Sequence, residues 1–274
     1  MHRIRRSLLI LIGVVQTVFA VALLLRLPFA TRLWPFPGTT PLTLMLVASF
    51  FAAAAASTLW AVATENYAAF GGIALDYVAI FGPLAVFSWR LSALAGGASF
   101  TVFAVASTLG ALFGLALLLW SLRRLFEGDL LMPGPVRGSF VVFVVALVGV
   151  AALLIAGVPN VIPWRITPAL SVVMGWMFLG AATYFAYGLS RPLWVNAAGQ
   201  LAGFLAYDLV LILPLVTRLS SVAPEHRIGL IVYTVVVAYS GLLAAYYLFV
   251  HPPTRRGAWR RAGTAAGSIS SRLA

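Results

Sequence analysis

Apolar residues run in long blocks along the chain, and polar residues collect in short intervals between them. Eight blocks reach the roughly 20 residues that a helix needs to cross the hydrocarbon layer: 7–25, 42–63, 68–87, 98–121, 139–157, 169–189, 193–216 and 229–250. In lipid each backbone N–H and C=O needs an internal partner, so these blocks are expected to be helices. The expected fold is all-α: a polytopic bundle of about eight transmembrane helices. Arg3, Arg5 and Arg6 ahead of the first block, with the Ala20-Val21-Ala22 step, mimic a signal peptide. The apolar run continues through Leu25 where a cleavable signal would turn polar, so it is taken as a span.

The two halves share features. The loop after the first block contains Trp34-Pro35 and then Thr40-Pro41; the loop after the fifth contains Pro163-Trp164 and then Thr167-Pro168. Thr-Pro suits a helix start, because threonine caps orphan N–H groups and proline fits the first turn. Gly72 and Pro83 in the third block answer Gly203 and Pro214 in the seventh, and Asp76-Tyr77 and Tyr207-Asp208 fall near the matching place. The expectation is a parallel 4+4 internal repeat. Residues 1–128 and 129–250 would form two four-helix units, followed by a basic tail, 251–274. The stretch from Arg123 to Arg137, with Glu127, Asp129 and a Pro133-Gly134-Pro135 turn, would link them.

Composition excludes a soluble domain: of 274 residues 62% are apolar and 9% charged, against about 25% charged in soluble proteins. All 18 basic residues are arginine, and six carboxylates leave a net charge of +12. The charge is spread between apolar runs and not over one polar face, so it does not indicate nucleic acid. It is a topology signal. With the N-terminus inside, Arg3, Arg5, Arg6, Arg123, Arg124, Arg137, Arg191, Arg255, Arg256, Arg260, Arg261 and Arg272 are cytoplasmic. Arg26, Arg32, Arg90, Arg165, Arg218 and Arg227 are outside, a bias that favours both termini in the cytoplasm. Alanine richness and arginine without lysine fit a GC-rich bacterial genome, hence a bacterial cytoplasmic membrane. The tail arginines around Trp259 would meet anionic lipid at the inner surface.

Absent residues narrow the chemistry. Without cysteine there is no disulfide or thiolate metal site, and without lysine no Schiff base or P-loop. His2, His226 and His251 lie outside the apolar blocks, which argues against an intramembrane haem or zinc site. No cofactor or metal is implied. Tyr207-Asp208 supplies the Tyr-Asp half of an intramembrane aspartyl protease, but the companion Gly-x-Gly-Asp is missing, since Ile73-Ala74-Leu75 precedes Asp76. No hydrolase or prenyl-transferase motif is present, and the interhelical segments are too short for an ATP-driven or regulatory activity.

Two carboxylates, Asp76 and Asp208, stand inside apolar blocks. A charge at the bilayer centre costs roughly 2.5–3.5 kcal/mol or more, so such residues face the interior and mark function by default. Desolvation without a basic partner favours the neutral acid, and proton uptake and release there is carrier chemistry. Tyr77 and Tyr207 adjoin the aspartates, and Asn196 and Gln200 join Tyr207 and Asp208 near one stripe of the seventh block. Gly199 with Gly203, and Gly110 with Gly114, form GxxxG steps for close helix packing. Pro83 and Pro214 are expected to kink or end their helices. Trp34, Phe36 and Trp164 are expected as interfacial anchors. Two functions follow: a small proton- or ion-coupled carrier, non-enzymatic, with Asp76 and Asp208 protonatable; or a non-catalytic integral subunit or scaffold, packed against a membrane-protein partner or a second copy, with the aspartates as interhelical links.

Overall fold

The chain is described by a computed structural model covering residues 2–255 apart from positions 37, 39, 96 and 127. Glu127 of the expected linker and the tail beyond 255, with Trp259, Arg256, Arg260, Arg261 and Arg272, lie outside the described residues.

The described residues are helical, and their one extended pairing is a single antiparallel bridge between Leu131 and Leu193. In chain order the helices are α1 (His2–Leu24), α2 (Pro28–Leu33), α3 (Pro41–Ala63), α4 (Phe70–Ala95), α5 (Ala98–Ser121), α6 (Gly134–Ile155), α7 (Pro168–Ser190), α8 (Trp194–Arg218) and α9 (Pro224–Ala245). A 3-10 turn, Tyr67–Ala69, leads into α4, and α9 runs on as a π-helical turn, Tyr246–Val250. All but α2 are long and apolar enough to cross a membrane, eight spans among the described residues.

Proline occupies the first turn of α2, α3, α6, α7 and α9, where its missing N–H costs nothing. Both Thr-Pro pairs open helices, but they differ in detail. The Thr167 hydroxyl accepts from Leu170 N at 3.3 Å, whereas Thr40 makes no side-chain cap. Three further expectations change. The Pro133-Gly134-Pro135 segment is the start of α6 and not a linker turn. Pro83 does not end its helix, because α4 continues to Ala95, and Pro214 likewise lies inside α8. Each proline forfeits one backbone bond, and the flanking turns and packed neighbours keep the helix continuous. Finally, α2 is a short helix inside what reads as a Pro-rich loop.

Burial separates the spans into two layers. In α3, α4, α7 and α8 50–56% of the span is buried inside the protein; in α1, α5, α6 and α9 it is 22–28%. The first four are the inner helices, and the second four face lipid. Neighbours in sequence pack as α1 on α3, α4 on α5, α6 on α7 and α8 on α9. Across the halves, α3 packs on α8 and α4 on α7. Glycine permits several of these approaches. A side chain at Gly203 of α8 would collide with Ser57 Oγ and stand 3.1 Å from the Ala53 carbonyl of α3. On α5, one at Gly110 would lie 2.9 Å from the Phe81 ring, and one at Gly114 2.9 Å from Tyr77 Cβ. Gly199, by contrast, has Trp60 of α3 at an ordinary 3.7 Å. The α3–α8 and α4–α7 pairs touch each other less, and the seam between them holds the site described next.

Candidate functional site

Asp76 lies in the second turn of α4. Gly71 and Gly72 just before it leave room for Tyr187 and Tyr184 of α7 to press on the helix. Further along α7, Gly180 leaves the space that the Asp76 carboxyl and Ile80 fill; a Cβ there would sit 2.5 Å from Asp76 Oδ1. Asp208 lies midway along α8 and is only 4% exposed. Ser240 of α9 donates from Oγ to Asp208 Oδ2 at 2.8 Å, and Gly241 lets α9 come close enough for that bond. The other carboxyl oxygen, Oδ1, is buried without a hydrogen-bond partner among the described residues.

Both aspartates line one cavity of about 360 Å³, walled by α3, α4, α6, α7, α8, α9 and the Val161–Pro163 segment. They also share a depth. Gln200 of α8 donates to the Tyr184 carbonyl of α7 at 2.6 Å and lies against Gly188. From that contact Gly180, which touches Asp76, is eight residues back along α7, and Asp208 is eight residues on along antiparallel α8. At 1.5 Å per residue each carboxyl is therefore about 12 Å from the Gln200 level, measured along the bundle. The rings agree: Phe50 of α3 stands 5.5 Å from Phe178 and 5.4 Å from Tyr207, spanning the same layer.

The remaining wall is mostly apolar and aromatic, with Phe143, Phe178, Phe185 and Phe204 among the rings. Its polar groups are Ser57, Tyr184, Gln200, Tyr207, Tyr233 and Ser240 besides the carboxyls, and no arginine or histidine among the described residues lines it. The Tyr207 and Tyr233 hydroxyls hydrogen-bond each other beside Asp208. Ser57 donates to the Gly199 carbonyl at 3.1 Å. Two acidic groups thus face a pocket of rings and hydroxyls with no countercharge among the described residues of the wall.

Of the residues singled out from sequence, Asp76, Asp208, Tyr207 and Gln200 meet here. Tyr77 and Asn196 do not. Adjacent residues on a helix point about 100° apart, and Tyr77 turns to α1, where Gln16 Nε2 donates to its hydroxyl. Asn196 is buried in the first turn of α8 and donates to the Arg191 carbonyl at 3.1 Å, holding the α7–α8 turn. Sequence reasoning missed Ser57, Tyr184, Tyr233 and Ser240. The nearest signal was a tyrosine inside an apolar run, whose hydroxyl must find a partner.

The outer aromatics are also placed differently from the expectation. Phe36 is 1% exposed and packed by Trp34, Phe87, Phe100 and Phe103, and Trp164 is 5% exposed beside Tyr233. These loops fold inward over the ends of the helices, because rings that large bury more surface against one another than at the headgroup level. No protein-family model matches the chain, and neither a curated protein nor a solved structure is similar to it.

Proposed function

We propose that this chain is a small secondary carrier, not an enzyme, whose working groups are Asp76 and Asp208. The observation that carries the reading is that two carboxyls from different halves of the sequence line one intramembrane cavity at one depth, with no basic residue among the described residues of its wall. A carboxyl so placed is neutral when protonated and attracts a cation when not, so proton and substrate compete for the same oxygens. Gln200, Tyr207 and Tyr233 orient the ligand, and the surrounding rings exclude water. Both termini are cytoplasmic in this reading, in a bacterial inner membrane, as the arginine bias favours. The helix pairing supports a 4+4 duplication: shifting each span by four exchanges the inner pairs α3–α8 and α7–α4 and keeps inner helices inner.

The test is flux through purified protein in liposomes under a proton gradient. Asp76→Asn and Asp208→Asn, made singly and together, are expected to stop proton-coupled flux while the protein still elutes as a folded species. Undiminished flux in the double variant would overturn the proposal.

A further inference from the structure

The cavity has a side opening. Helices α6 and α9 both wall it, yet they are not packed against each other along their length among the described residues. They meet toward one end, where Ser139 and Tyr239 hydrogen-bond at 2.7 Å, and at the other Pro163 packs at Gly229. Between those contacts, Val232 and Val236 of α9 line the cavity and are still 56% and 43% exposed. Ala146 of α6 lines the cavity and is exposed as well. The gap between α6 and α9 is therefore a portal from the hydrocarbon layer into the site.

We propose that the ligand is an amphiphilic organic cation, an amine or quaternary ammonium carried on an apolar body, which reaches the cavity from the bilayer through this portal. The inference rests on the carrier reading of the cavity and names its substrate class. Three features select that chemistry. The portal admits what dissolves in lipid and excludes small hydrated ions, which would have to shed their water in hydrocarbon. The aromatic wall binds an apolar body, and ring faces attract a cation within about 6 Å. Among the described residues the acidic and basic groups of the wall are two carboxyls, Asp76 and Asp208, and a cation beside either favours its ionised form. An anion would be repelled by either carboxyl once ionised, and a neutral apolar solute would gain nothing from them. The volume, about 360 Å³, lies at the small end of ligand sites.

The experiment uses the full chain in a neutral detergent and three probes of similar size: phenyltrimethylammonium, its uncharged carbon isostere tert-butylbenzene, and benzenesulfonate. Saturable binding of the cation is expected, with both other probes weaker by about thirtyfold or more, and a similar loss in Asp208→Asn, as for truncating one partner of a buried charge pair. Because that variant could lose the cation by misfolding, Val142→Trp, one turn before Ala146 on the exposed face of α6 and outside the cavity lining, provides a second reading. It narrows the portal without touching a carboxyl, and slower association at unchanged equilibrium affinity is expected. Equal binding of anion or neutral probe, full cation binding in folded Asp208→Asn, or an unchanged association rate in Val142→Trp would each overturn the proposal. The two readings fail differently. Cation binding without flux in liposomes removes the carrier and keeps the ligand class; aspartate-dependent proton flux in a protein that ignores the cation does the reverse.

Discussion

Gly180 shows how one residue sets the site. The Asp76 carboxyl stands where any other side chain on α7 would reach, so Gly180→Ala forces Asp76 and Ile80 to move together. A loss of about 1–3 kcal/mol is expected from overpacking, read as a lower unfolding midpoint in detergent, along with reduced flux. Ser240→Ala acts on the other carboxyl by removing the donor to Asp208 Oδ2. With Oδ1 already unpartnered, the folded state should lose about 1–3 kcal/mol, and Ser240→Thr, which keeps the hydroxyl, should recover most of it. Asp76 and Asp208 were legible in the sequence because a carboxyl in an apolar run needs a reason to be there. Ser240 was not, since a serine hydroxyl in a helix can satisfy itself on its own backbone, and Ser240 also reaches the Val237 carbonyl at 3.1 Å. Tyr77 and Asn196 had the right chemistry on the wrong side of their helices, a distinction that rests on which neighbours each helix meets.

Among the elements, α8 joins both pairs of the bundle and carries Gln200, Tyr207 and Asp208 on one stripe against three neighbours. Its contact with α3 depends on Gly203, so Gly203→Val should push Ser57 and the Ala53 carbonyl away and cost about 1–3 kcal/mol. Gly149 on α6 is the control. A Cβ there meets nothing within 4 Å, and Gly149→Ala should be neutral or stabilise the helix by about 0.5–1 kcal/mol. Thermal unfolding of both variants in the same detergent checks the pair. Helix number and type were legible at this scale because hydrophobic runs leave lipid few alternatives. Helix ends were less so: α4 extends to Ala95, past the apolar run that ends near Phe87, and takes Trp89 and Arg90 with it. Pro83 and Pro214 read as terminators in a chain that cannot show which turns packing will hold.

For the whole molecule, the division into four inner and four lipid-facing helices was beyond the sequence, since a buried alanine and a lipid-facing alanine are chemically the same. The orientation proposed from the arginine bias belongs to this scale, and the absence of cysteine makes it testable. In a right-side-out vesicle, a membrane-impermeant maleimide should label Ser220→Cys in the α8–α9 turn and spare Leu125→Cys in the α5–α6 connection. The opposite pattern would reverse the assignment. The opening between α6 and α9 has a quantitative consequence of its own. A site that communicates with the bilayer samples the solute at its concentration in lipid, which for an amphiphile exceeds that in water by the partition coefficient. Affinity referred to the aqueous phase will then rise with the length of the apolar body even where the cavity gains no contact. A homologous series of alkylammonium probes should accordingly show aqueous dissociation constants that track partitioning and collapse onto one value when rescaled to the lipid phase. The membrane would act as a concentrator, and the protein need only recognise the charge.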